Sequence, residues 1–160
     1  MDLTDTNLCR HTSQPIVLQR TLSDCMTCCL AMLAGRSYEE VTQAAQSIFP
    51  GHEAGGLLTH SLMRRISHAW GLALLSSIYM DWRYPGIVGV VSLTIENCGH
   101  ALFWDGDRLI DPGGSGRYDL AYVQSNAIEF TQRAGNLAAV IELEHSLQPA
   151  ADGVSDKEYF

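Results

Sequence analysis

Cys25, His100, Asp111 and Gln19 have the types and spacing for nucleophilic acyl chemistry in this 160-residue chain. Cys25 follows Thr21-Leu22-Ser23-Asp24, polar residues of the kind that start a helix, and opens an apolar helical pattern. A thiol at a helix start lies beside unpaired backbone N–H groups and the positive end of the helix dipole, which favour the thiolate. A histidine near it strengthens that effect. Cys28 and Cys29 fall one turn further in, on the apolar side, and read as small core residues. Gln19 stands six residues before Cys25. Its amide could donate to a developing oxyanion beside the backbone N–H of Cys25.

A hairpin supplies the partner of the histidine. Ala101-Leu102-Phe103-Trp104 and Arg108-Leu109-Ile110 flank Asp105-Gly106, a strong two-residue turn signal. Counting outward from that turn predicts that His100 faces Asp111 across the strands, and directly opposed residues share a sheet face. A carboxylate there would fix the ring tautomer and stabilise imidazolium, the orienting half of a Cys-His-Asp arrangement. Taken alone, such a pair is more often a surface cross-strand ion pair of little energetic value.

The elements that must position these residues are legible in part. Cys25, Cys28, Cys29, Met32 and Leu33 make one helix face, with Ser23 or Asp24 to cap it and Gly35 to end it. Ser37-Tyr38-Glu39-Glu40 is a capping box for a second helix, whose stripe is Val41, Ala44, Ala45 and Ile48. A third helix is expected from Thr59 to Trp70, with His60, Arg64 and His68 on a solvated face. The period then changes. Ile87 to Ile95 reads as a buried strand, the hairpin follows, and Ala138 to Leu143 reads as a further strand. Residues 117–136 carry no clear pattern. Helices first and strands later predict an α+β domain over residues 16–145, with a flexible lead-in at 1–15 and a mobile tail at 146–160.

Composition narrows the partners. Ten basic against 18 acidic residues give a formal charge of −8, which argues against nucleic acid, since phosphate binding needs clustered positive charge. The sequence has no apolar run of membrane-spanning length and no secretion signal at its start. The five cysteines are odd in number and crowded, so a reducing, cytoplasmic setting is expected rather than a disulfide framework. Zinc is a second use for them, with Cys25, Cys28, Cys29 and His100 as ligands, but no second closely spaced ligand pair supports it.

Gln19, Asp24-Cys25 and Cys28-Cys29-Leu30-Ala31-Met32-Leu33, followed by Gly99-His100-Ala101-Leu102-Phe103 and Ile110-Asp111-Pro112, resemble the papain-like cysteine peptidases. The likeness is to their bacteriocin-processing branch, the double-glycine leader peptidases and stand-alone relatives. It covers roughly residues 16 to 145. The resemblance implies a papain-like fold, N-terminal helices packed on a C-terminal antiparallel sheet, and cleavage of a peptide or isopeptide bond without cofactor or metal. It assigns Cys25 as nucleophile, His100 as general base, Asp111 as its orienter and Gln19 to the oxyanion hole. The expected substrate is a peptide or protein with small residues before the scissile bond. Met26 stands where the family usually has Gly. That feature favours the alternative of an inactive binding module; a thiol acyltransferase or amidase would use the same triad.

Overall fold

The computed structural model describes residues 15–78, 87–114 and 119–136. Most of the expected lead-in, the strand at 138–143 and the tail lie outside the described residues. In chain order the elements are α1 (Cys25–Ala34), α2 (Tyr38–Ile48), α3 (His60–Ala69), β1 (Leu72–Ser77), β2 (Gly89–Ile95), β3 (Cys98–Trp104), β4 (Leu109–Ile110), α4 (Leu120–Asn126) and β5 (Ala127–Asn136). The fold is α+β, with a five-stranded antiparallel sheet in the order β1-β5-β2-β3-β4.

The helices begin and end as their local chemistry dictates. Gly35 ends α1 in the left-handed conformation at φ 65°, and Arg133 Nη1 donates to the C-terminal carbonyl of Leu33 at 2.9 Å. Ser37 Oγ accepts from Glu40 N at 3.1 Å while Glu40 Oε2 accepts from Ser37 N at 2.7 Å, the reciprocal capping box of α2. Thr59 caps α3 through Leu62 N. One expectation changes. Rather than a single apolar face, every residue of α1 from Cys25 to Leu33 is buried. α1 is packed between α2 and α3 on one side and β3 and β2 on the other, so all its faces must be apolar or small.

The centre of the sheet is buried on both faces. Val88, Val90, Ala101, Phe103 and Ile110 join the core made with α1, α2 and α3. Val91, Leu93, Leu102, Trp104 and Phe130 form a second cluster with Val123 of α4. This explains why Val90, Val91 and Leu93 of β2 are apolar on successive faces, since a strand covered on both sides buries side chains on each. β1, α4 and β5 are the elements that the sequence pattern did not disclose. Glu96 and Asn97, both at positive φ (48° and 65°), turn β2 directly into β3.

The β3–β4 register corrects the expected one. Phe103 pairs with Ile110 and Trp104 with Leu109, and Asp105 N donates to Arg108 O at 3.1 Å. The tip is therefore Gly106-Asp107, not Asp105-Gly106, with Gly106 at φ 93°. The cause is the side chain of Asp105. It is 3% exposed, and its Oδ1 accepts from Asp107 N at 3.0 Å and Arg108 N at 2.8 Å. An Asp that satisfies the turn's own N–H groups belongs before the tip rather than in it.

Candidate functional site

α1 carries Cys25 as its first residue, and it is 7% exposed. β3 carries His100 at its third position, and Asp111 directly follows β4. α1 packs chiefly against β3, which brings the helix start to the strand that holds the histidine. The register shift of two positions moves Asp111 out of direct opposition with His100. Both residues lie beyond the last paired positions of the hairpin, Phe103 and Ile110. Their side chains meet: His100 Nε2 lies 2.9 Å from Asp111 Oδ1, with side chains 18% and 10% exposed. Asp111 Oδ1 also accepts the backbone N–H of Gly113 at 2.8 Å, which holds the carboxylate toward the ring.

His100 is hydrogen-bonded to the Cys25 side chain as well. With Nε2 given to Asp111, Nδ1 is the ring nitrogen left for the thiol. The bond to Asp111 foremost, then that to Cys25, pushes the imidazole from its ordinary 6.5 up to about 9, against the opposing pull of burial. At neutral pH the ring is thus held as imidazolium between a carboxylate and a sulfur, with one proton on each nitrogen.

Gln19 is joined to the same cluster through its backbone and its side chain. Its N–H donates to Pro112 O at 2.8 Å, tying the segment before α1 to the loop after β4. Its Nε2 donates to Thr21 O at 3.1 Å, which uses one of the two amide hydrogens. Gly113 allows this approach. A Cβ there would lie 3.1 Å from Asp111 Oδ1 and 3.2 Å from Gln19 Oε1. The four residues singled out in the sequence are thus linked through direct bonds and one shared loop.

The other cysteines separate from this cluster. Cys28 and Cys29 are fully buried, and burial foremost, with the charge of Asp24, pushes the Cys28 thiol up to about 12. Cys98 is exposed at the start of β3. Among the described residues no group of three or more His, Cys, Asp or Glu side chains is placed to hold a metal ion, so Cys25, Cys28, Cys29 and His100 do not form a zinc set. Met26 is 5% exposed and belongs to the buried core formed with the helices. His52 is buried in its loop, and His60 Nε2 pairs with Ser92 Oγ at 3.1 Å. No helix among the described residues is long and apolar enough to cross a membrane.

The residues that sequence reasoning undervalued are Asp24 and Tyr38. Asp24 occupies the N-cap position of α1, yet its side chain makes no capping bond. It turns back instead: Oδ2 accepts from Arg20 N at 3.0 Å, Thr21 N at 3.2 Å and Tyr38 Oη at 2.8 Å. An aspartate beside Cys25 reads as a cap on sequence alone, and nothing in the spacing links it to a tyrosine 14 residues on.

A scan of protein-family models and a search of curated proteins returned no match to this chain.

Proposed function

We propose that this protein is a papain-like thiol enzyme that cleaves a peptide or isopeptide bond by acyl transfer through Cys25. The observation that carries the reading is the double bonding of His100, to Cys25 on one side and to Asp111 Oδ1 at 2.9 Å on the other. A histidine so held orients one nitrogen at a nucleophile and is stabilised as a cation by the other. A surface ion pair would have no reason to include a nearly buried thiol at a helix start.

In this mechanism the Cys25 sulfur attacks the substrate carbonyl carbon. Negative charge develops on the carbonyl oxygen, beside the backbone N–H of Cys25 and the Gln19 amide. His100 gives its Nδ1 proton to the departing amine as the C–N bond breaks, leaving a thioester on Cys25. The neutral ring then takes a proton from water, which attacks the thioester and frees the acid and the thiol. An amine or second thiol in place of water would make the same residues a transferase. Small residues before the scissile bond are the substrate feature that the resemblance implies.

Alkylation of the native protein at mildly acidic pH tests the reading, followed by assay of Cys25→Ala on peptides with small residues before the cleaved bond. Cys25 is expected to label ahead of the other cysteines, and Cys25→Ala to lose all turnover while keeping its fold. An unreactive Cys25 would point to a binding module, and full turnover by Cys25→Ala would overturn the assignment.

A further inference from the structure

We infer that Asp24 is a positioning residue for the oxyanion site, acting on Gln19 through the backbone of Arg20 and Thr21. The inference rests on the thiol-enzyme reading and deepens it.

The carboxylate of Asp24 is 0% exposed, and its Oδ1 is buried with no hydrogen-bond partner. A buried anion with an unsatisfied oxygen is unfavourable for stability, and an apolar or amide group would serve the core better. Helix capping does not account for it, because the side chain makes no capping bond. What it does is gather Arg20 N, Thr21 N and Tyr38 Oη on one oxygen. The consequence runs outward one bond at a time. Oδ2 fixes the peptide of Thr21, and the carbonyl of Thr21 receives Gln19 Nε2 at 3.1 Å. Thr21 Oγ1 donates to Gly55 O at 2.6 Å, which secures the far side of the turn. Tyr38, 7% exposed at the start of α2, is the rigid end of the chain. Arg20 lies 4.0 Å over its ring and pairs with Glu39 at 2.7 Å. The turn between Gln19 and Cys25 is therefore set by a carboxylate that never touches substrate.

Two reagents separate this role from a merely structural one. Acylation of Cys25 by 4-nitrophenyl acetate passes through a tetrahedral oxyanion, whereas alkylation by iodoacetamide displaces iodide without one. Gln19→Ala serves as the reference, with slower acylation and unchanged alkylation. Asp24→Ala is expected to match it, losing about 10- to 100-fold in acylation rate. Its alkylation rate should stay within about threefold of wild type, the spread expected without an oxyanion donor at stake. Asp24→Asn keeps an acceptor for the same three donors and should recover most of the acylation. Tyr38→Phe should show the same split more weakly, and it stands in if Asp24→Ala fails to fold. Equal acylation in wild type and the folded variants would overturn the inference, as would a fall of both reactions by one factor. An inert wild-type Cys25 would overturn the thiol-enzyme reading and the inference together.

Discussion

His100 of β3 and Asp111, just past β4, lie beyond the paired positions of the hairpin, and their side chains still meet at 2.9 Å. The loop at Gly113 holds the carboxylate toward the ring, with Gly113 N donating to Asp111 Oδ1 at 2.8 Å.

That relationship sets the titration of His100. Its value is raised above the ordinary 6.5 to about 9, so the protonated ring contributes stability that is fully present below about 6.5 and lost as pH rises through about 9. The contribution is on the order of 3 kcal/mol at most. NMR of the His100 Cε1 resonance should show its midpoint near 9 in wild type and well below that in Asp111→Asn. Denaturant midpoints should fall from pH 7 to pH 10 in wild type and fall less in the variant. An unmoved midpoint in Asp111→Asn would mean that the carboxylate does not govern the ring.

The helices were legible because their signals are local: the Ser37–Glu40 box and the left-handed Gly35 need only their neighbours. The site was legible for a similar reason, since Gln19 with Cys25 and His100 with Asp111 each lie close in sequence. β1 was hidden because Leu72-Ala73-Leu74-Leu75 continues the composition of a helix and is strand only through pairing with β5. β5 was hidden because irregular pairing with β2 between Ser92 and Leu93 breaks its alternation, leaving Ile128 exposed and Phe130 buried. The register of β4 turned on Asp105, whose side chain acts as part of the turn, and Asp24 escaped notice because its partners come from a separate helix.

Cysteine reactivity should divide by environment. Cys28 and Cys29 are 0% exposed, and burial foremost holds the Cys28 thiol at about 12. Mass mapping of the native protein after brief alkylation should find label on Cys25 and on the exposed Cys98, with Cys28 and Cys29 modified only after denaturation. Early label on Cys28 would contradict the packing of α1.

Gly113 should be needed for its missing side chain. A Cβ would press on both Asp111 Oδ1, at 3.1 Å, and Gln19 Oε1, at 3.2 Å. The residue is exposed, so Gly113→Ala should change stability by no more than about 1 kcal/mol. Acylation by 4-nitrophenyl acetate should fall roughly 10-fold, the scale of a displaced catalytic group. A drop in melting temperature with acylation intact would show that the loop yields elsewhere.

Met26 tests the one position where the sequence departs from the papain-like pattern it resembles. Were it a plug over the nucleophile, Met26→Gly would open the site and speed acylation. Its side chain instead sits in the core with Leu30, Leu33 and Phe103, 5% exposed. Removing it should cost about 2–5 kcal/mol for the cavity, with roughly 1 kcal/mol more for glycine inside a helix. The expected result is a melting temperature lower by on the order of 10 °C. Acylation of the folded protein should be no faster than wild type when measured well below that transition. Faster acylation at an unchanged melting temperature would mean that Met26 guards the thiol rather than the core.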